Sequence, residues 1–491
     1  MASNRNDQDG ITRRDFTTRV GAAAAGIAVG GGLFGTRLGA QTNGRVLGAN
    51  DRVQVAVIGI RGQGNSLKRG FANLNNVNVK TLCDIDANLA DSRINDPSLK
   101  EVSGFKPDFV QDMRRVFDDK EIDAVVIATP NHWHALATIW ALQAGKHVYV
   151  EKPSSHTVWE GRKMVEATNR YNKIVQVGTM NRSRPAVREA MKFIQDGGIG
   201  KVHMARGLCF KPRLSIGKYP DGPMQAGERY TLIAGSTGRP EPTYDAEYLS
   251  KVDYDLWLGP APKRPFNRNR FHYNWHWHWD YGNGDTGNQG PHQFDIARWG
   301  LAKQEHPVKV SSMGGYFGEP ASQETPDTQT ALFEYPDGMI LEFATRGEHT
   351  NDEGGQRVGN LFYGSKGWAW LDETGRNWGS YLGPVGEKNE KGPGSGTAAG
   401  QGEAVGLTTI EGGHYGNFIE AVRANDPKIL ACDVLEGHLS STLPHLANIS
   451  YRVGQALAFD PRAEKFVDNK KADALLTREY RKGFEIPKSF T

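Results

Sequence analysis

Between residues 51 and 178 the chain repeats one unit, a short unbroken apolar run followed by a helical pattern, and few folds accommodate that repeat. Val53–Ile58, 124–129 and His147–Val150 are predominantly apolar runs, 174–177 closes the series, and Val77–Cys83 is a further strand ending beside Asp84. Strands without polar alternation are covered on both faces, which is the condition of parallel strands flanked by helices. A crossover helix between the first two strands, then helical patterns at 134–144 and Val158–Tyr171, supply that cover. The pattern predicts a doubly wound parallel sheet of the Rossmann type over residues 51–180.

The first strand runs into Gly59-Ile60-Arg61-Gly62-Gln63-Gly64. A dinucleotide site needs glycines here because the chain turns sharply, approaches a pyrophosphate with its backbone, and aims the next helix's amides at the charge. Gly59 and Gly64 hold the first and third positions of GxGxxG, while Arg61 replaces the second glycine and Gly62 follows it. Asp84 stands 20 residues beyond Gly64, at the end of the second strand. A carboxylate there accepts both ribose hydroxyls and repels a 2′-phosphate, so NAD(H) is favoured over its phosphorylated form.

Composition narrows the rest. The 491 residues carry 59 Lys plus Arg against 56 Asp plus Glu, a near-neutral balance that gives no footprint for a nucleic-acid backbone. That length implies two or three domains. Cys83, Cys209 and Cys432 lie far apart with no ligand-like spacing, so at most one bridge forms and no structural zinc site is indicated. Arg13 and Arg14 precede Phe16 and an Ala/Gly-rich apolar run at 20–34, with small residues at Gly39 and Ala40. That run is too short and glycine-rich to span a bilayer. Residues 1–40 read as a twin-arginine export signal, residues 41–50 as a linker, and the mature protein as periplasmic with no membrane span.

The stretch Ala128-Thr129-Pro130-Asn131-His132-Trp133-His134, followed by Ala144-Gly145-Lys146-His147-Val148-Tyr149-Val150-Glu151-Lys152-Pro153, resembles the Gfo/Idh/MocA family of glucose-fructose oxidoreductase and inositol dehydrogenase. The resemblance implies a nicotinamide-binding domain, then a large open-faced, mainly antiparallel sheet domain with helices at 181–491, and an active site between them. It implies that Thr129, Pro130, Asn131, His134, Glu151 and Lys152 border the cofactor, that Lys152 faces the nicotinamide and the reacting hydroxyl, and that the peptide before Pro153 is cis. It also implies pairing of subunits through exposed sheet faces, as a homodimer or homotetramer. An ammonium at Lys152 stabilises an alkoxide, and its partial desolvation lowers its pKa toward working pH.

Past Gly178, strands are expected at 201–210, 308–317, 328–335, 339–344 and 367–371, and a mobile surface insertion at 387–403. Helices are expected at 414–423 and 438–452, with His414, His438 and His445 read as structural or subunit-facing and His438 as able to face the cleft. The segment 274–295 is the most informative. Its end resembles the family's approach to a helix carrying a general acid/base histidine, which falls on His292; Asn288 stands where many relatives have aspartate. An imidazole takes and returns a proton near neutrality. An amide orients a hydroxyl but accepts no proton, so the proton travels through His292, Lys152 or Asp285. Trp275, Trp277 and Trp279 share one side of an extended chain and His276 and His278 the other. The tryptophans suit a sugar face or packing between domains or subunits. The two histidines make only an incomplete metal site, needing a third ligand such as His272, Asp280 or Asp285.

These features point to an NAD-dependent oxidoreductase acting on a secondary hydroxyl of a sugar, sugar derivative or cyclitol. Export to a compartment without an NAD pool implies a cofactor kept through each cycle. Two alternatives remain: a glycoside hydrolase or lyase working through transient oxidation, elimination, water addition and reduction, and a sugar-binding protein without turnover.

Overall fold

The computed structural model describes residues 40–42, 45–47, 51–99, 106–233, 240–395 and 410–490. The export signal expected at 1–40 lies outside them, except for Ala40. Ala40–Thr42 pairs antiparallel with Arg45–Leu47.

Six parallel strands form the first sheet: β1 (Val53–Ile58), β2 (Val77–Cys83), β3 (Asp108–Val110), β4 (Ala124–Ile127), β5 (His147–Val150) and β6 (Val175–Val177), in the order β3-β2-β1-β4-β5-β6. Helices α1 (Gln63–Ala72), α2 (Asn131–Gln143) and α3 (Val158–Tyr171) cover it. The order turns outward in opposite directions from β1 and β4, which opens a crevice at their carboxyl ends. β1 and β4 are buried along nearly their whole length, which is why their sequences do not alternate.

The second sheet has ten strands. After α4 (Pro185–Gln195) come β7 (Val202–Cys209), a separate hairpin of β8 (Tyr230–Ile233) and β9 (Pro240–Tyr244), and α5 (Gly290–Gly300). Then follow β10 (Lys309–Gly315), β11 (Thr328–Glu334), β12 (Ile340–Arg346), β13 (Val358–Gly364), β14 (Gly367–Asp372), β15 (Trp378–Leu382) and β16 (Glu390–Gly394). Helices α6 (Gly413–Ala424) and α7 (Val434–Val453) precede the closing hairpin of β17 (Leu457–Asp460) and β18 (Lys465–Phe466). The sheet order is β16-β15-β14-β13-β7-β12-β11-β10-β17-β18, antiparallel except where β7 pairs parallel with β12. One face alternates inward: in β11, Gln329, Ala331 and Phe333 are buried while Thr330, Leu332 and Glu334 are exposed.

Several expectations change in detail. β13 and β15 were not foreseen, and part of the insertion expected to be mobile, Glu390–Gly394, is a paired edge strand; 396–409 lies outside the described residues. All three cysteines are free and buried, so the one possible bridge does not form. The chain also does not divide cleanly at residue 180. α6 returns Phe418, Ile419, Ala421 and Val422 to the core of the first sheet, and Ile486 joins the same half.

Helix α5 is seated on the large sheet by Phe294, whose ring lies 4.4 Å from Phe343 and 5.6 Å from Phe333. Its other side is tied down by charge. Arg182 bridges Asp295 and Glu436, each at 2.8 Å, and the fully buried Arg298 donates to Ser440 Oγ and to Glu436. Phe294→Ala leaves a cavity at this seat and is expected to lower stability by about 3–5 kcal/mol in urea unfolding; a loss under 1 kcal/mol would mean that the seat is not rigid.

Candidate active site

The crevice at the carboxyl ends of β1 and β4 is built by close backbone approach. Gly59 has φ +83°, and a Cβ there would lie 2.7 Å from the Ala128 carbonyl oxygen; a Cβ at Gly64 would lie 1.6 Å from the Gly59 carbonyl oxygen. Both positions therefore require glycine. Gly62, by contrast, has nothing within 4 Å and caps the exposed start of α1. A loop this tight, with free amides at the helix start and open space before them, fits a pyrophosphate.

Asp84 completes that end. Its carboxylate accepts the Ile60 amide at 2.8 Å and the Asp86 amide at 3.0 Å, which fixes it beside the loop. Burial outweighs these bonds and pushes its pKa up to about 6. Arg61 lines the same crevice, and its guanidinium reaches the Tyr244 hydroxyl.

The loop after β4 lines the same crevice. Thr129, Pro130, Asn131 and His134 border it, and His134 lies between two carbonyls, with Nδ1 2.6 Å from the Pro153 oxygen and Nε2 2.8 Å from the Thr129 oxygen, one of which its single N–H serves at a time. Both ring nitrogens being occupied, and burial holding its pKa down to about 4, His134 is a strut rather than a proton carrier. After β5, Glu151 is buried and accepts from Gln63 Nε2 at 3.1 Å, with Gly178 leaving room for its carboxylate. The Lys152–Pro153 peptide is cis, as the resemblance implies.

Lys152 then crosses to the second half, where its Nζ donates to the Asn288 carbonyl at 2.9 Å and lies 3.4 Å from Asn288 Oδ1. Burial lowers its pKa, opposed by the neighbouring Glu151 carboxylate. One turn along, at the start of α5, His292 faces the same cavity; burial first, then the Lys152 charge, bring it down to about 3. Its Nδ1 is buried without a hydrogen bond. A single cavity of about 570 Å³ thus runs from Gly59 and Asp84 at one end to Lys152, Asn288 and His292 at the other.

The tryptophan and histidine run does not extend. His272–Trp277 is a 3-10 turn, so the two-residue alternation fails and its side chains go separate ways. Trp275 and His276 line the main cavity. Trp277 is buried beneath the Arg213 guanidinium, and Trp279 borders a second cavity of about 290 Å³ with Arg452 over its ring. His278 is buried toward Glu324 at 3.7 Å, away from His276. Asp285 is buried too, its carboxylate held by Arg213 Nε at 2.7 Å and by a second guanidinium nitrogen, which leaves it a structural anchor for Arg213 rather than a free base. His438 faces away from the cleft: with His306 it donates to Glu464 Oε1, at 2.7 and 2.8 Å, where Arg162 also binds. His414 meets Ser183 and the Val177 carbonyl, and His445 packs near Ser155.

Sequence reasoning overlooked Gln63, Arg93 and Tyr273, and weighed His272 only as a metal ligand; all four line the main cavity. Gln63 sits inside the glycine turn and was legible there. The others come from chain distant in sequence, with no local signal.

Two family descriptions match this architecture. Residues 53–179 match "Oxidoreductase family, NAD-binding Rossmann fold", and residues 242–353 with 411–486 match "Oxidoreductase family, C-terminal alpha/beta domain". Together they take in well over half of the chain, and both describe one family: the chain belongs to the Gfo/Idh/MocA oxidoreductases, with an NAD-binding first half. Among curated proteins it is similar to levoglucosan dehydrogenase of Pseudarthrobacter phenanthrenivorans, 43% identical over 96 residues, which is 20% of this chain and 25% of that protein. It is also similar to a glycosyl hydrolase family 109 protein of Saccharopolyspora erythraea, 29% identical over 224 residues, 42% of this chain and 47% of that one. The chain thus spans a quarter to just under half of the length of these relatives. Among solved structures it shares its fold with levoglucosan dehydrogenase in complex with NADH and levoglucosan, at a TM-score of 0.57 and 19% identity, over 83% of this chain and 99% of that one.

Asp84 gives the site a pH dependence of known sign. Its folded pKa of about 6 lies above its ordinary value, so the nucleotide-free fold gains stability from this group as pH falls through 6. Ribose hydroxyls need the ionised form, so NAD affinity is expected to weaken over the same interval. Titration calorimetry from pH 8 to 5 checks this; Asp84→Asn should bind weakly at every pH and lose the dependence, and an unchanged profile in that variant would remove Asp84 from the ribose site.

Proposed function

We propose that this protein is an NAD-dependent oxidoreductase that oxidises a secondary hydroxyl of a sugar, sugar derivative or cyclitol and keeps its cofactor from one turnover to the next. The observation that carries this reading is the convergence of Lys152, Asn288 and His292 at the far end of a cavity whose near end is the glycine turn and Asp84. The glycine turn and Asp84 would hold the pyrophosphate and adenosine ribose, with Thr129, Pro130, Asn131, His134 and Glu151 bordering the nicotinamide half. When bound, the nicotinamide accepts a hydride at C4.

The chain's own residues handle the proton. Since the Nδ1 of His292 is sealed in the wall, Nε2 is the atom that takes the hydroxyl proton; burial and the Lys152 charge hold the imidazole down to about 3, below the near-neutral range expected from the sequence, so it passes that proton on and does not store it. The Lys152 ammonium, oriented by the Asn288 carbonyl, stabilises the alkoxide left behind. As the hydride leaves carbon, the alkoxide becomes a ketone, and return of proton and hydride reverses the step. Trp275 and His276 offer flat surfaces to a ring at this end.

A second reading has support in the likeness to proteins named as family 109 glycosyl hydrolases. A transient ketone acidifies the neighbouring C–H, the glycosidic substituent is eliminated, water adds, and the ring is reduced again. Both readings need the same site. The export signal read at 1–40 supports a periplasmic enzyme, which cell fractionation finding the protein only in the cytoplasm would refute. Met313, Leu332 and Ile340, exposed together on the outer face of β10, β11 and β12, support a homodimer or homotetramer; light scattering at the mass of one chain would contradict it.

Lys152→Met and His292→Asn are each expected to slow cofactor reduction by sugar in single turnover by about 10²–10⁴-fold while nucleotide still binds. Rates within threefold of the parent would exclude the proposed roles. Run in heavy water, deuterium at the carbon beside the oxidised one in a cleaved product selects the elimination route, whereas accumulation of a keto sugar selects the dehydrogenase.

A further inference from the structure

The glycine turn's one departure, Arg61, leads to a feature that the hydride-transfer chemistry does not use. In a doubly wound sheet the loops after β1 and β2 ordinarily form an open rim around the adenosine end of a dinucleotide. Here a later part of the chain crosses that rim. Tyr248 donates its hydroxyl to Asp86 Oδ2 at 2.6 Å, and its carbonyl accepts Asn88 Nδ2 at 2.9 Å. The Ala87 amide donates to the Lys251 carbonyl at 3.0 Å, the Asp253 amide donates to the Ile85 carbonyl at 2.9 Å, and Gln111 Nε2 donates to both the Ile85 and Lys251 carbonyls. Asp86 and Val252 pair as an isolated antiparallel bridge. The rim residues 85–88 are thereby stitched to 248–253 by main-chain and side-chain bonds together.

Tyr244 closes the other side of the rim. It is fully buried, its hydroxyl meets the Arg61 guanidinium, its ring stacks on His272 at 5.2 Å and 28°, and it packs edge-on to Tyr248 at 4.8 Å. Arg61 and His272 both line the main cavity, as do Asp84 and Arg93. Arg93 in turn donates to the Ile60 and Arg61 carbonyls, bracing the glycine turn from its outer side. A glycine at position 61 would have no side chain to reach Tyr244.

We infer that Tyr244 and the segment 248–253 form a clasp over the adenosine end of the cofactor site, with the Arg61 to Tyr244 contact as its latch, and that this clasp sets how slowly the nucleotide leaves. Tyr244 and Tyr248 are positioning residues: they act through Arg61, His272 and Asp86. The inference rests on the retained-cofactor reading above and gives it a physical cause. A nucleotide leaving by its adenosine end must first break these contacts, and the loss of one charge-assisted hydrogen bond quickens such an opening about tenfold or more.

The test compares the parent with Tyr248→Phe and with Tyr244→Phe/Tyr248→Phe, which keep the aromatic packing and remove only hydroxyls. Full-length protein is loaded with NADH, and release is followed by the fall in NADH fluorescence after excess NAD is added. Release is expected to be about tenfold faster in Tyr248→Phe and about a hundredfold in the double variant, with the unfolding midpoint of the nucleotide-free protein moved by less than about 3 °C. Release within twofold of the parent in the double variant overturns the clasp, and so does a rate change matched by a collapse of the nucleotide-free fold, since that is a purely structural role. The retained-cofactor reading fails separately: if the parent itself releases NADH within seconds, retention is wrong, and the ratio of variant to parent rates still decides the clasp.

Discussion

Lys152 joins two sheets that otherwise share no reacting group. Its backbone belongs to the carboxyl end of β5 in the parallel sheet, while its ammonium is held by the Asn288 carbonyl at the approach to α5, which rests on the ten-stranded sheet. A cation half out of water needs such an acceptor, and that need fixes the spacing of the two halves across the cavity. Everything at the reacting end follows from this one contact. His292 stands next to the charge because α5 begins there, and its imidazole stays neutral because it is buried beside that charge.

The contact is reliable only if neither half can drift, and the C-terminal chain prevents drift. α6 and the final residues pack into the core of the parallel sheet, while α7 lies between α5 and α3. Arg298 and Arg182 bind α5 to α7 through Glu436, and Glu464 gathers Arg162 of α3, His306 and His438 at one point. Buried charges arranged this way contribute less to net stability than to a unique geometry. The cleft is accordingly a preorganised space, with its polar groups aimed before any ligand arrives.

Most of the parallel half was legible in the sequence because five of its six strands are local, largely apolar runs; the edge strand β3, three residues beginning at Asp108, has no such run and was missed. Val77–Cys83 and Val158–Tyr171 have the bounds that periodicity suggests. The second sheet was harder. β13 is buried nearly end to end and has glycines at Gly359 and Gly364, so it shows neither alternation nor an uninterrupted apolar run. At the site, Gly59, Gly64, Asp84 and Lys152 could be placed from spacing and motif. The segment 275–279 could not, because its period-two pattern has no meaning in a 3-10 turn. Nor could the pairing of Asp285 with Arg213, or of Arg61 with Tyr244, since those partners meet only after the chain has folded over a separation of 72 and 183 residues.

The central claim is that this cavity moves a hydride between a ring carbon and a nicotinamide. It is tested most directly by mixing the NAD-loaded protein with levoglucosan, glucose or myo-inositol deuterated at the ring carbons, denaturing it within the first turnover before any hydride returns, and weighing the reduced nucleotide. The account predicts that for the sugar that is converted, the nucleotide gains one deuterium, located at C4 of the nicotinamide. Conversion of a sugar with no deuterium passing to the nucleotide would contradict it.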